Sequence, residues 1–328
     1  MNGSHMAPSP RAGEGDGHRG LPCGDADGYA SCRDMAKGAE MERNEAQGTD
    51  GYRIRVMSRS ELDLAVDWAR AEGWNPGLQD AGAFHAVDPA GFLVGLLDGQ
   101  PVASLSVVRY PGNFGFLGFY IVRPEARGRG FGWRLWQAGL RHLEGCTVGL
   151  DGVVAQQENY RKSGFALSHR NIRFGGSLPD HDGSGTGLVD ARKVPFDLLT
   201  TLDAELFPAP RPGFLANWIA LPGATALAAM RDGAVAGFGV IRPCHSGFRI
   251  GPLYAADGGI ARELVLALAR AAGAGPVFLD VPEPNAAGVR LAEELGLTPQ
   301  FETARMYLGP APATDLGRLF GGTSFELG

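Results

Sequence analysis

The fold is decided by residues 117–143, LGFYIVRPEARGRGFGWRLWQAGLRHL. Residues 117–122 are a short apolar run with aromatic and β-branched side chains, which predicts a buried strand. Residues 123–132 then form a turn that contains three glycines and three arginines. From Gly130 onward, apolar residues recur at helical spacing, which predicts an amphipathic helix; they are Phe131, Leu135, Ala138 and Leu143.

A strand, a glycine-rich basic turn and a helix together are suited to holding phosphate groups. The first amides of a helix lack intrahelical partners, and the helix dipole adds positive potential there. The glycines let the backbone approach a ligand closely and adopt positive φ, and Arg127 and Arg129 supply charge. An ordinary solvated basic turn is the alternative. The preceding strand and the register of the helix favour the phosphate site.

This segment closely resembles the acetyl-CoA-binding motif of the GNAT superfamily of N-acetyltransferases, R/Q-x-x-G-x-G/A. The motif positions are occupied by Arg127, Gly128, Arg129, Gly130, Phe131 and Gly132. The resemblance implies that the pyrophosphate of coenzyme A lies on the amides of residues 128–132. It also implies that the pantetheine arm pairs with the backbone of Ile121 and Val122. The segment lacks the Gly-Lys-Ser/Thr of a P-loop, and its glycine spacing differs from that of a dinucleotide fingerprint.

Composition limits the class of protein. The 328 residues suffice for two domains, and 44% hydrophobic residues can form a core. A net charge of −6 without a basic patch argues against a nucleic-acid partner, although it is compatible with a cationic amine substrate. The sequence has no run of 18 apolar residues, which a membrane-spanning helix would need. The four cysteines show no metal-ligand spacing. We expect a cytoplasmic protein without a metal, and leave open whether it is a monomer or a homodimer.

Residues 1–51 are polar and glycine-rich and include a Gly3-Ser4-His5-Met6 segment typical of an expression tag, so we predict a disordered tail. Residues 52–175 predict the order β-αα-βββ-α-β-α-β, which is that of a GNAT domain. Residues 176–187 read as a flexible linker. We predict a second domain over residues 188–310 and a C-terminal tail over residues 311–328. The expected fold class is α/β (α+β): tandem GNAT folds, each a mixed, mostly antiparallel twisted sheet flanked by helices.

The second half repeats the first. Equivalent residues are separated by a nearly constant distance along the chain: 134 residues for Asp98 and Asp232, 133 for Arg109 and Arg242, and 132 for Gly164 and Gly296. Such a fixed offset indicates a duplicated domain. Where the first copy has the arginine turn, the second has Asp257, which can cap a helix but would repel pyrophosphate. The arrangement resembles two-domain GNAT proteins, including bacterial YitH-like ones, whose C-terminal domain is degenerate.

Tyr160 is the candidate general acid. It lies four residues before Gly164-Phe165, which matches the Tyr-x-x-x-Gly-Phe of the GNAT superfamily, whose tyrosine protonates the departing thiolate. The alternative is a packing tyrosine on an amphipathic helix. Thiol and phenol pKa values are close, at about 8.5 and about 10, so the proton transfer is nearly balanced. No glutamate occupies the position that serves as base in many family members. Instead, water could relay the proton, the amine could arrive partly deprotonated, or His85, Asp80 or Asp151 could act as base.

For the substrate we consider Trp74, Phe84, His85 and Asp280, the last because it could attract an ammonium group across a cleft between domains. Trp133 is a further aromatic candidate, although Trp133 and Trp136 lie at helical positions, where a tryptophan usually belongs to the core. The leading hypothesis is an acetyl-CoA-dependent N-acetyltransferase (EC 2.3.1.-) that acts on a primary amine, in a small molecule or a protein lysine. The alternatives are a non-catalytic acyl-CoA-binding or regulatory protein, and an aminoacyl or long-chain acyl transferase.

Overall fold

A computed structural model describes residues 51–178 and 187–328 of the protein. Residues 1–50 of the predicted tail and residues 179–186 of the predicted linker lie outside the described residues. The elements of the first half are β1 (Tyr52–Val56), α1 (Arg59–Ala71), α2 (Asp80–Val87), β2 (Phe92–Leu97), β3 (Gln100–Tyr110), β4 (Phe114–Val122), α3 (Phe131–His142), β5 (Thr147–Val153), α4 (Gln157–Lys162) and β6 (Ala166–Gly176). Gly176, predicted as the first linker residue, is therefore the last residue of a strand.

The second half follows the same order. Its elements are β7 (Leu188–Asp190), α5 (Phe196–Leu206), α6 (Pro212–Ile219), β8 (Thr225–Arg231), β9 (Ala234–Pro243), β10 (Phe248–Ala255), α7 (Gly258–Ala272), β11 (Val277–Pro282), α8 (Ala286–Glu294), β12 (Thr298–Leu308) and β13 (Leu319–Gly321). β13 lies within the segment predicted as a C-terminal tail.

Local sequence signals explain several of these elements. Ser58 caps α1 through a capping box with Glu61, which satisfies two amides at the helix start. Asp98-Gly99 and Asp232-Gly233 form the turns of the β2–β3 and β8–β9 hairpins. All four residues have φ between 50° and 80°, as a two-residue hairpin turn of this kind requires. Both repeats thus fold around the same Asp-Gly signal.

The strands form one mixed, mostly antiparallel sheet in the order β1-β2-β3-β4-β5-β12-β6-β11-β10-β9-β8-β7, with β13 paired to β10. β5 therefore pairs with β12 of the second half, and not with β6, which follows it in the chain. β6 in turn pairs with β11. Each half gives its last strand to the sheet of the other half, which makes the two halves one continuous structure.

The helices α1, α2, α5 and α6 share a hydrophobic core that spans both halves. Within it, the Phe84 ring stacks on Trp218 at a centroid distance of 5.7 Å. The helix α3 packs on the opposite face of the first half, where Leu135 and Trp136 are buried against β3, β4 and β5. The helix α7 covers the second half in the same way. Because both faces of the sheet are covered, burial of apolar surface stabilises the association of the halves.

Buried ion pairs also join the halves. Asp280 on β11 accepts hydrogen bonds from Arg173 on β6 and from Arg249 on β10, at 2.6–2.9 Å. Asp80 of α2 pairs with Arg242 of β9 at 2.8 Å. All five side chains are at most 4% exposed. Because a guanidinium left without its carboxylate in this environment is costly, these pairs fix how the halves fit together.

Candidate active site

β4 and β5 diverge at the centre of the first half. Their parallel pairing runs from Phe114–Thr147 to Leu117–Leu150 and ends there. At the same level β4 carries one residue more than β3, because Ser104 lies opposite Ile121 and Ser106 opposite Gly118. Phe119, inside this bulge, has φ of 46°, which is rare for a bulky residue. The bulge and the loss of pairing open a cleft in the sheet alongside residues 118–122.

The arginine turn closes one end of the cleft. Gly128 and Gly130 have φ of 74° and 81°, in the left-handed region that favours glycine. Gly130 is the N-cap of α3, no side chain caps the helix, and its first turn holds no acidic residue. The start of α3 therefore keeps the positive potential of its free amides. A Cβ atom at Gly132 would lie 2.8 Å from the Tyr120 hydroxyl, so a side chain there would crowd the cleft wall.

The two arginines of the turn have different surroundings. The Arg127 Nε donates to the Val122 carbonyl at 2.8 Å, and its guanidinium also pairs with Glu72 at the end of α1. The Arg129 guanidinium lies over the Phe131 ring, 4.7 Å from its centroid. Arg127 lines the cleft, whereas Arg129 is not among the residues that do so.

A cavity of about 490 Å³ runs from the arginine turn along the divergence of β4 and β5. Seven of the eight residues predicted to bind the cofactor line it: Ile121, Val122, Arg127, Gly128, Gly130, Phe131 and Gly132. Trp133, an aromatic candidate for the substrate, also lines it and is 55% exposed, so this tryptophan does not belong to the core. Trp136 is 2% exposed and does belong to the core.

Tyr160 lines the same cavity from α4. Its ring stacks on Trp136 at 5.5 Å, and a Cβ atom at Gly152 would overlap the ring, so a glycine in β5 makes room for it. Burial raises the pKa of the Tyr160 phenol above its ordinary value, and the nearby Tyr120 adds to the effect. Tyr160 therefore stays protonated throughout the neutral pH range, as a proton donor must.

The four predicted substrate residues do not lie together. Trp74, in the loop between α1 and α2, lines the cavity, while Phe84, His85 and Asp280 are not among the lining residues. Phe84 is fully buried in the shared core. His85 lies near the Phe92 ring, and burial lowers its pKa. Although burial alone would oppose ionisation, Arg173 and Arg249 lower the pKa of Asp280 to about 2, so its charge serves the ion pairs.

The two other candidate bases are also engaged. Asp80 is 1% exposed and is bound by Arg242. Asp151 lines the cavity, but both of its oxygens accept hydrogen bonds from Arg305 at 2.7–2.8 Å, and Asn171 donates to one of them. Both carboxylate oxygens are thus occupied by donors of the protein.

The second half contributes cavity residues that the sequence did not reveal. Phe301 and Thr303 lie on β12, and Phe325 lies close to the C-terminus. They reach the cavity because β12 pairs with β5 and because residues 322–328 cross to the first half. Gly118 permits this crossing, since a Cβ atom there would lie 2.2 Å from the Glu326 carbonyl oxygen. Alternation along β12 places Phe301 and Thr303 on one face, but only the strand pairing shows which cavity they face.

The equivalent cleft of the second half is filled by the protein itself. β10 carries a bulge between Ile250 and Leu253, and its parallel pairing with β11 ends at Ile250–Leu279. β13 lies in the gap and pairs with Leu253 and Tyr254 of β10. The Asp257 carboxylate caps α7 by accepting from the Ile260 amide at 2.9 Å. Backbone pairing and helix amides that are available in the first half are thus occupied in the second.

Comparison with known proteins agrees with this duplication. The sequence pattern of the acetyltransferase (GNAT) family matches residues 57–165, and that of an acetyltransferase (GNAT) domain matches residues 199–321. The holothin acyltransferase of Pseudoalteromonas sp. (strain SANK 73390) is 32% identical over 275 residues, which cover 84% of this chain and 94% of that protein. The mycothiol acetyltransferase of Cellulomonas flavigena is 30% identical over 125 residues, 33% of this chain and 36% of that protein.

Solved structures share the fold. A putative acetyltransferase from Pyrococcus horikoshii superimposes with a TM-score of 0.74 at 22% identity, over 87% of this chain and 99% of that one. A tandem GNAT protein from the clavulanic acid biosynthesis pathway gives 0.55 at 15% identity, over 79% and 99%. Within residues 51–178 and 187–328, no helix has the length and apolarity needed to cross a bilayer. The chain belongs to the GNAT family of acyltransferases and carries two GNAT domains, of which the first retains an open cleft.

Proposed function

We propose that the protein is an acetyl-CoA-dependent N-acetyltransferase that transfers an acetyl group directly to a primary amine, with Tyr160 as general acid. The observation that carries the proposal is the single cavity that joins the arginine turn, the unpaired stretch of β4 and Tyr160. The proposed phosphate-binding residues and the proposed proton donor then lie on one continuous surface. The matched relatives whose names state an activity are acyltransferases, which supports the same chemistry.

The residues of the first cleft fit coenzyme A. The uncapped start of α3 and the positive-φ glycines Gly128 and Gly130 suit a pyrophosphate. Arg127 adds a positive charge at the same place, once its pairing with Glu72 is exchanged for phosphate. The backbone of Ile121 and Val122 borders the gap between β4 and β5, where an extended pantetheine could pair as β13 does in the second half.

When bound, acetyl-CoA supplies an acyl group activated as a thioester. Tyr160 keeps a proton at its Oη and can deliver it to the leaving sulfur. Because burial raises the phenol pKa, delivery to a thiol with an ordinary pKa of about 8.5 is uphill, and the transfer depends on the sulfur being desolvated in the same cavity. The chain has four cysteines, and two of them, Cys146 and Cys244, lie in the part that the structure describes. Neither of these two lines the cavity, which favours direct transfer over an acyl-cysteine.

The test combines binding and turnover. Calorimetry should show acetyl-CoA binding at one site per chain, and a thiol-release assay should show amine-dependent formation of free coenzyme A. Binding without release for any of a range of amines would indicate the non-catalytic acyl-CoA-binding alternative. Absence of binding would overturn the proposal. Tighter binding of longer acyl-CoA thioesters, with faster turnover, would indicate an acyl group larger than acetyl.

A further inference from the structure

One wall of the cavity is aromatic and is formed by Trp74, Phe301 and Phe325. The centroids of the Phe301 and Phe325 rings lie 6.1 Å apart. Trp74 is held in place by β6, because the Arg173 guanidinium donates to its carbonyl at 2.6 Å. Flat apolar surface from both halves thus lines the cavity.

Two buried arginines lie behind this wall. The Arg173 guanidinium lies 4.6 Å from the Phe325 ring centroid and 5.9 Å from that of Phe301. The Arg249 guanidinium lies 5.6 Å from Phe325. The two arginines share one carboxylate, that of Asp280. The nearby Glu326 is 1% exposed and lies 3.9 Å from the Arg249 guanidinium, and burial raises the pKa of its carboxyl. An ammonium group would therefore find no unpaired carboxylate at this wall.

The acidic residues that line the cavity are both paired. The Asp151 carboxylate is bound by Arg305 and Asn171, and the Glu72 carboxylate by Arg127. Asp151 is therefore not free to hold an ammonium group, and Glu72, which Arg127 would release on binding phosphate, lies beside the arginine turn.

A polar side chain near this aromatic wall lacks a hydrogen-bond partner. The Thr303 hydroxyl is buried and forms no hydrogen bond within the described structure, although Thr303 lines the cavity. A buried hydroxyl without a partner lowers stability, and a ligand that donates a hydrogen bond to it would recover this loss.

We infer that the acceptor is a planar aromatic amine, uncharged at neutral pH, which stacks on the aromatic wall and donates an N–H hydrogen bond to Thr303. This inference rests on the proposed function and specifies its substrate class. An aromatic amine is neutral because its lone pair is delocalised into the ring, so it needs no base before attack. An alkylamine with the pKa of a lysine side chain, about 10.4, is uncharged in only about one molecule in 10³ at pH 7.

The step balances without another reactant. The amine nitrogen forms a bond to the acyl carbon, and the bond between that carbon and sulfur breaks. Tyr160 gives its proton to the sulfur, and the proton lost by the nitrogen returns through water to the Tyr160 oxygen. The products are the amide and free coenzyme A.

The test compares two amines that share one ring, p-anisidine and 4-methoxybenzylamine, with spermidine and a lysine peptide beside them. For p-anisidine, kcat/KM should exceed that for 4-methoxybenzylamine at pH 7 by at least about tenfold and should not change between about pH 6.5 and 9. For 4-methoxybenzylamine it should rise about tenfold per pH unit. Faster turnover of the benzylamine or spermidine at pH 7 would overturn the inference and leave the proposed function standing. Acetyl-CoA binding without turnover of any amine would overturn both.

Variants test the assignment of residues. Thr303→Val should raise the KM for p-anisidine about tenfold, yet leave the thermal midpoint equal or higher, because the buried hydroxyl has no partner. Phe325→Ala should lower kcat/KM about three- to tenfold with acetyl-CoA affinity unchanged. Phe196→Ala, at an exposed position on α5, is the matched control. An unchanged KM in Thr303→Val, or a Phe325→Ala effect confined to acetyl-CoA, would contradict the assignment.

Discussion

The start of α3 offers the sharpest electrostatic test, because the second half shows what a carboxylate does at the equivalent place. Gly130→Asp would put one negative charge where the first half keeps free amides and where Asp257 stands in the second half. Gly130→Asn has nearly the same shape and no charge. A Cβ atom at Gly130 meets nothing within 4 Å, so neither variant creates a clash.

The magnitude can be worked out in two parts. Both variants adopt φ near 81°, which costs about 1–2 kcal/mol and is best tolerated by Asn and Asp. A carboxylate about 5 Å from one phosphate charge adds about 3 kcal/mol of repulsion at an effective dielectric constant of about 20. The Asp variant should therefore bind acetyl-CoA about 100-fold more weakly than the Asn variant at low salt.

Calorimetry with acetyl-CoA at low and high salt measures this difference. Because salt screens exposed charges, the gap between Asp and Asn should shrink as ionic strength rises. The two variants should have similar thermal midpoints, which separates the charge from any loss of fold. Equal acetyl-CoA affinities of the Asp and Asn variants at low salt would refute the placement of the pyrophosphate at this helix.

Three further predictions concern catalysis and the junction of the halves. Tyr160→Phe should lower turnover by about 10²–10⁴ with unchanged acetyl-CoA affinity. In the wild type, burial raises the Tyr160 pKa, so turnover of a neutral amine should show no decline up to about pH 10. A decline of turnover centred on a lower pH would contradict the acid role. Asp280→Asn leaves Arg173 and Arg249 buried without their carboxylate, so urea unfolding should show a loss of about 3–5 kcal/mol in the free energy of unfolding. The control Asp63→Asn, in the exposed pair with Arg59, should lose less than about 0.5 kcal/mol. Equal losses would show that the buried pairs do not join the halves. Gly118→Ala should cost about 1–3 kcal/mol in unfolding free energy, because the new Cβ would meet the Glu326 carbonyl. In the control Gly213→Ala the new Cβ meets nothing within 4 Å, so this variant should not be destabilised. An unchanged unfolding free energy in Gly118→Ala would show that residues 322–328 are not packed there.

Much of the fold follows from local signals in the sequence. Ser58 with Glu61, the Asp-Gly pair of each hairpin and the apolar register of residues 131–143 each act within a few residues, so they can be recognised without knowing the partner of any strand. The arginine turn belongs to this class. Its glycines and the start of α3 are contiguous in the chain, and five of the six residues predicted there line the cavity.

The acceptor side could not be predicted in this way. Phe84 and Asp280 are of the residue types that bind ligands, but burial in the shared core and pairing with two arginines decide what they do. Phe301, Thr303 and Phe325 lie more than a hundred residues beyond Tyr160, and no local pattern links them to the first half.

By itself, the sequence determined that the chain holds two copies of one fold and that a basic, glycine-rich helix start survives in the first copy and is replaced by Asp257 in the second. Helix periodicity, turn chemistry and charge are properties of neighbouring residues, so they can be read from the chain. Only the tertiary structure decided that β6 and β12 exchange halves, that β13 fills the second cleft and that residues near the C-terminus wall the first one. The physical reason is that backbone pairing is nearly independent of side-chain identity, so the choice among possible strand partners rests on how the whole core packs.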